Sequence, residues 1–322
     1  METTETTNNP QEPTIHSGRS LGADALRRLA RDKSAVACFV VICVYAALAI
    51  VAPLLWRDWE TRYNYDNTQA APSLRHLTSP ATWRYLLGTD EFGRSVLVKT
   101  FLGAHVSMTV GLMSNIIAVP LGMLLGAVAG YFGRWIDDVI VWLYTTLASI
   151  PGIISLIALK FAFQNRVLFE GTWAAMDLSG LAGIYIALGL LSWIGTCRLV
   201  RAEVMKLREL DYVVAARAVG GSRLAILRRH ILPNILHLGI INFSLGFVGA
   251  VTAEVILSYL GLGVGGSTPS WGKMIDAARM DLVVGRWWEL GAAVMAMFLL
   301  VLALNIFGDR LRDALDPRLR TA

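Results

Sequence analysis

The chain has 322 residues, of which 55% are apolar and only 16% charged, with a mean hydropathy of +0.53. That balance excludes an ordinary water-soluble globular domain and a disordered polar chain, and it identifies a membrane protein. The net charge of +5 follows the placement of Lys and Arg between apolar segments, so it gives no reason to expect a nucleic-acid partner.

In chain order, residues 1–20 are polar and Pro-interrupted and read as a disordered tail without a cleavable signal peptide. The next stretch, LGADALRRLARDKS, sets Leu21, Leu26 and Leu29 against Arg27, Arg28, Arg31 and Lys33. This suits a helix lying on the inner membrane surface, with a solvated basic linker as the alternative. Six windows then have the roughly 20 apolar residues that cross a hydrocarbon core of about 30 Å: residues 34–56, 105–132, 138–159, 178–197, 233–262 and 287–307. Pro151-Gly152 is expected to kink the third, and a gating hinge is the second reading. Two loops, residues 57–94 and the Phe169- and Trp173-containing residues 160–177, either receive an outside partner or pack on their own chain.

Basic residues resist translocation, and placing the amino terminus inside puts eighteen of the 29 Lys and Arg in inner segments. Contact of these basic loops with lipid headgroups is compatible with that topology. Cys38, Cys43 and Cys197 show no pairing or ligand spacing, and the five histidines are scattered, so neither a disulfide nor a metal site is expected.

Two nucleotide motifs are decoys. GLGVGG (Gly261, Gly263, Gly266) follows a membrane helix instead of a strand, and its glycines are expected to end that helix. SWGKM lacks the earlier glycine and the Ser/Thr of a phosphate loop, so the chain has no ATP site of its own. No catalytic constellation stands out.

The most informative stretch is DYVVAARAVGGSRLAILRRHILPNIL, beginning at Asp211. As a helix it places Tyr212, Ala215, Ala216, Val219 and Gly220 on one small, smooth side, with Arg217, Arg223 and Arg228 available to the other. Gly220-Gly221 permits a bend, and Pro233 suits the first turn of the fifth span. The residues alone leave two readings open, a helix that docks into a groove on a partner and an amphipathic surface helix. Within the spans, Glu254 is the outstanding polar residue, with Ser258 one turn on. It either lines a passage or pairs structurally, and Asn242, Asn115 and Asn305 are weaker candidates of the same kind.

The Asp211 segment resembles the "EAA" loop of membrane subunits of ATP-binding-cassette importers: Ala215-Ala216, Gly220 and Leu232-Pro233 keep its spacing. Val214 stands where the family usually carries Glu, and His230 where it carries Ile. LGTDEFGRSVL, GYFGRWIDD, SYLGLGV and NIFGDRLRDALDPRLR resemble the second permease of the dipeptide/oligopeptide branch. The resemblance implies an all-α membrane protein of six transmembrane helices with the type I importer permease fold and both termini cytoplasmic. It divides the chain into a tail (1–20), an amphipathic helix, first span and extracytoplasmic loop (21–98), a permease core (99–309) with coupling loop 209–233, and a cytoplasmic tail (310–322). It further implies a non-catalytic inner-membrane subunit that binds no cofactor, partnered by a second permease, two ATPases holding ATP and Mg, and an extracytoplasmic solute-binding protein. Asp211, Tyr212, Ala215, Ala216, Arg217, Val219, Gly220, Gly221 and Pro233 would couple to the ATPase. Glu254, Ser258 and Asn242 are the candidate pathway residues. Oligopeptides lead as cargo, followed by dipeptides, with nickel complexes, glutathione and antimicrobial peptides as alternatives. The competing class is a secondary transporter, which would show internal repeats and paired broken helices.

Overall fold

The computed structural model describes residues 21–59, 62–73, 83–172, 175–265 and 268–315. The expected amino-terminal tail, Trp173 and Gly266 lie outside the described residues, as do the final seven positions. The chain forms α1 (Leu21–Arg31), α2 (Lys33–Leu55), α3 (Val96–Phe132), α4 (Arg134–Ala148), α5 (Gly152–Phe163), α6 (Leu181–Leu207) and α7 (Asp211–Ala218). There follow α8 (Arg223–Ile226), a π-helical turn (Leu227–Ile231), α9 (Leu232–Tyr259), α10 (Trp271–Val283) and α11 (Trp288–Leu315). A two-residue hairpin pairs β1 (Val167–Leu168) with β2 (Met176–Asp177).

Among the described residues, five helical stretches are long and apolar enough to cross a membrane: α2, α3, α6, the rod Arg223–Tyr259, and α11. The expected first, second, fourth, fifth and sixth windows each fall on one of them. The third window differs. Instead of a kinked helix there are two helices, α4 and α5, bent by 91°. Pro151 has no N–H to give an α-helical ladder, and its ring disfavours helical geometry at Ile150, so α4 stops at Ala148 and α5 starts afresh at Gly152. Fifteen residues of α4 reach only about 22 Å, so a crossing here needs both halves.

Helix α3 is the centre of the bundle, and its register against α6 is set by Gly122, Gly126 and Gly130. A Cβ at these positions would lie 2.6 Å from the Trp193 carbonyl oxygen, 2.6 Å from that of Cys197 and 2.7 Å from that of Arg201. Contacts that advance four residues on both helices mean that α3 and α6 run parallel with their backbones nearly touching. A parallel neighbour requires the chain to return to its starting side first, and α4 with α5 makes that return.

One end of the bundle collects the start of α2 and the end of α11, joined by Asp32 and Arg310 (3.3 Å). Asp32 also caps α2, accepting from the Ser34 and Ala35 N–H groups. The opposite end is closed by a buried ion network. The Asp90 carboxylate accepts from the Phe92 and Arg94 backbone N–H groups, from the Arg94 guanidinium (2.9 Å) and from Lys99 (3.3 Å). Lys99 continues to Glu289 of α11 at 2.6 Å, and the Trp288 indole donates to the Thr89 carbonyl. The described part of the loop between α2 and α3 therefore packs on α3 and α11. The glycines after α9 also end their helix as expected. Gly261, at φ +75°, is the left-handed residue of a Schellman cap, in which Leu262 N–H reaches the Leu257 carbonyl and Gly261 N–H that of Ser258. In SWGKM, Ser270 caps α10 and the fully buried Trp271 donates to the Thr100 carbonyl.

Two predictions follow from these contacts. Gly126→Ala forces a methyl against a carbonyl and should lower stability by about 1–3 kcal/mol, whereas Gly195→Ala on α6, which meets open space, should be neutral or raise it by up to about 1 kcal/mol. Thermal melts of the two detergent-purified variants check the contrast in sign. Burial would raise the Asp90 pKa, but the Lys99 charge and the Arg94 hydrogen bonds outweigh it and hold the carboxyl below its ordinary 3.8. Its contribution is therefore present above pH 3.8 and is lost as pH falls through the lower folded value. The gap in melting temperature between wild type and Asp90→Asn should be constant near neutrality and close only at acid pH.

Candidate functional site

The Asp211 segment is a folded element. Helix α6 runs past the end of α3 to Leu207, and a short turn delivers α7. Val213, fully buried, is the anchor. It packs with Ile226, Leu227, Ile231 and Ile235 against Ala127 and Tyr131 of α3 and Val200 and Val204 of α6, and half-buried Ala216 adds to the same cluster. At about 1.5–3 kcal/mol per buried aliphatic side chain, this cluster holds the loop as a rigid extension of the bundle.

The remaining α7 residues point outward. Asp211 sits in the first turn, where its charge complements the helix dipole. Tyr212 is exposed, and its hydroxyl accepts from Asn234 (3.1 Å), which also donates to the His230 carbonyl. Ala215, Arg217 and Gly220 are exposed, and Val219 is 89% exposed. Val214, the residue in place of the family's Glu, is exposed as well, so the apolar and small groups form one accessible face. Gly220, at φ +87°, and Gly221 close a Schellman motif on α7: Gly221 N–H bonds the Ala216 carbonyl and Gly220 N–H that of Arg217. Gly221 is held close, since a Cβ would stand 2.7 Å from the Ala216 oxygen.

Pro233 stands in the first turn of α9, as the sequence leads one to expect, but helical geometry begins further back along the chain. Ser222 caps the rod through the Ala225 N–H, helical geometry starts at Arg223, and the π-helical turn Leu227–Ile231 precedes Pro233. The wider turn takes up the missing N–H and the bulk of the ring, so the helix passes through the proline unbroken.

The structure does not bring the pathway candidates together with the loop. Glu254 and Ser258 are enclosed between α3, α9 and α10, with 0% and 1% exposure. The Ser258 hydroxyl donates to Glu254 Oε1 at 2.6 Å. The Ser107 and Ser270 hydroxyls turn toward the same carboxylate, yet Glu254 Oε2 makes no hydrogen bond of good geometry. Neither residue faces open space in this conformation. Asn242 is half-buried and donates to the Leu238 carbonyl of its own helix. Sequence reasoning missed Val213, the residue that seats the loop, and the Lys99–Glu289 pair at the other end. The first was readable as the apolar residue out of phase with the smooth face, and the second had no signal across 190 residues of chain.

A polytopic helical membrane protein that presents a rigid, folded loop at one end is thus defined by its own geometry. Residues 119–321 match the family described as binding-protein-dependent transport system inner membrane component, and residues 20–79 match the N-terminal TM domain of oligopeptide transport permease C. The chain is 33% identical over 297 residues to the dipeptide transport system permease protein DppC of Bacillus subtilis (strain 168), covering 92% of this chain and 86% of that protein. It is also 33% identical over 296 residues to the glutathione transport system permease protein GsiD of Pectobacterium atrosepticum, covering 92% and 90%. On these matches the chain belongs to the binding-protein-dependent transport system inner membrane component family, as a multi-pass permease subunit of an ABC importer. A solved structure of the MetNI methionine ABC transporter, in inward-facing conformations, overlaps 69% of this chain and 96% of its own at 19% identity, with a TM-score of 0.49.

If Val213 seats the loop, Val213→Ala should cost about 1–2.5 kcal/mol of local stability. Trypsin should then cut at Arg217 and Arg223 faster than in wild type while the global melting temperature moves little.

Proposed function

We propose that this chain forms half of the translocation pathway of an ATP-driven importer of peptides, oligopeptides first and dipeptides next. It works with a second, homologous permease, two ATP-binding subunits and an extracytoplasmic solute-binding protein. The chain itself is non-catalytic and binds no cofactor; ATP and Mg belong to the partner ATPases. Both termini and the α7 loop lie in the cytoplasm, a topology supported by the Lys and Arg distribution.

The observation that carries this reading is the combination on α7 of a small, exposed face (Ala215, Val219, Gly220) with a fully buried anchor (Val213). A surface without long side chains lets a partner's cleft close tightly, and the anchor converts movement of the cleft into movement of α3 and α6. ATP binding draws the ATPases together, the two permease loops follow, and the cavity turns from inward- to outward-facing; hydrolysis resets it. Pro233 serves here as a residue of the helical rod behind the loop. In this reading Glu254 and Ser258 reach the passage only in another state of the cycle, and Asn242 acts as polar glue between helices. Glutathione is the second substrate reading, supported by the relative whose name specifies it at the same identity as the dipeptide relative.

The test is co-purification of the tagged chain from detergent-solubilised membranes that also express its partners. Ala215→Glu and Val219→Glu alter exposed positions only. Each should lower recovery of the ATPase by about tenfold, the equivalent of 1.4 kcal/mol, and leave recovery of the second permease unchanged. Variants that retain the ATPase as wild type does would refute α7 as the docking element.

A further inference from the structure

The end of α3, the α3–α4 turn and the α6–α7–α8 segment line a cavity of about 230 Å³ that shares only Arg217 with the residues expected to couple to an ATPase. Its wall carries Arg134, Arg208, Arg217 and Arg223, with Glu209 as its only carboxylate. Glu209 is already bonded to Arg208 (2.9 Å), and Arg208 also donates to the Gly130 carbonyl. Arg134, Arg217 and Arg223 make no hydrogen bond or ion pair among the described residues. A second, independent feature is Tyr131, which lines the same cavity: it is 7% exposed and its buried hydroxyl has no hydrogen-bond partner among the described residues. These three arginines are exposed to water where they line the cavity, and with the unused Tyr131 hydroxyl in its wall they suit an anion with several acceptor oxygens.

We propose that this cavity binds the phosphate of an anionic phospholipid, with the arginines as charge partners and Tyr131 as a donor at its wall. Position selects a lipid. The cavity lies at the end of a membrane-crossing helix, and the first turn of the adjoining α4 displays Trp135, 70% exposed, a residue whose ring favours headgroup depth. A volume equal to several waters at about 30 Å³ each admits a phosphate while leaving the acyl chains outside. The bound headgroup joins the α3–α4 turn to Arg217 on α7 and Arg223 on α8, so lipid composition sets how firmly the loop is fastened to the bundle. The inference requires only that α3 crosses the membrane, and it stands or falls separately from ATPase docking.

The experiment is native mass spectrometry of the full-length chain in detergent micelles, with phosphatidylglycerol or phosphatidylcholine added. Three proteins are compared: wild type, Arg134→Gln/Arg223→Gln, and Arg228→Gln/Arg229→Gln, which loses the same charge outside the cavity. Wild type should retain phosphatidylglycerol over phosphatidylcholine. The cavity variant should lose about thirtyfold in retention, from about 1 kcal/mol for each of the two basic residues removed, and the outside variant should change little. Equal losses in both variants, or no headgroup preference in wild type, overturn the site in favour of diffuse attraction. Displacement of the lipid by millimolar inorganic phosphate overturns the lipid assignment and makes free phosphate the ligand. Should the double variant not be monodisperse, Tyr131→Phe keeps every charge and removes only the unpartnered hydroxyl. Loss of retention there supports the site, and full retention overturns it.

Discussion

The contact between α3 and α6 fixes most of what the molecule can do. In hydrocarbon there is no hydrophobic drive to bring helices together, so association rests on packing, and packing is tightest where no side chain separates two backbones. Gly122, Gly126 and Gly130 provide that along two helical turns, each lying over a carbonyl of α6. Because the ladder is parallel, the chain must cross back between α3 and α6, and the intervening stretch is broken at a 91° bend. Pro151 makes the break affordable in structural terms: α4 and α5 need not form a continuous rod, since neither has to match the α3–α6 register.

The same contact makes a lever of α6. Held along its length by α3, it projects to Leu207, and the Val213–Ile226–Ile231 cluster folds the following residues back onto both helices. A loop attached through one side chain would absorb a partner's motion by bending. Here the anchor draws on α3, α6 and the base of the α9 rod together, so displacement of α7 strains all three. The π-helical turn before Pro233 belongs to that design, because it keeps the rod continuous from Arg223 to Tyr259 instead of leaving a hinge under the loop.

The spans were legible in the sequence because length and hydropathy act locally, and so were the Gly261 cap and the Asp211 helix, which depend on residues a few positions apart. The α3 glycine stripe was equally visible as a four-residue repeat, yet its partner was not, since nothing in residues 181–207 marks which face is approached. Pro151 and Pro233 show the limit of local rules most clearly. Each removes the same N–H. At Pro151 little packs alongside and the helix breaks; at Pro233 buried Ile231 and Ile235 hold the rod in line and the backbone widens instead. Glu254 looked like a passage residue because carboxylates in spans generally face cavities, whereas Ser107, Ser258 and Ser270, from three different elements, enclose it.

The two ends of the bundle differ in how they treat charge, and that difference bears on where partners act. At the Asp90 end Asp90, Arg94, Lys99 and Glu289 neutralise one another largely out of water, and removing Lys99 would leave Glu289 buried without its partner, at a cost of about 3–5 kcal/mol. Such an arrangement resists rearrangement and suits a region that keeps its shape. At the α7 end Arg134, Arg217 and Arg223 are left without carboxylates among the described residues, and Ala215, Val219 and Gly220 leave part of the neighbouring α7 surface bare of long side chains. An exposed apolar face is unfavourable for an isolated chain and is relieved by binding, and a group of cations attracts an anion. The α7 end is therefore where the energy of this fold still depends on other molecules, and it is joined through Val213 and the α3–α6 ladder to the centre of the bundle.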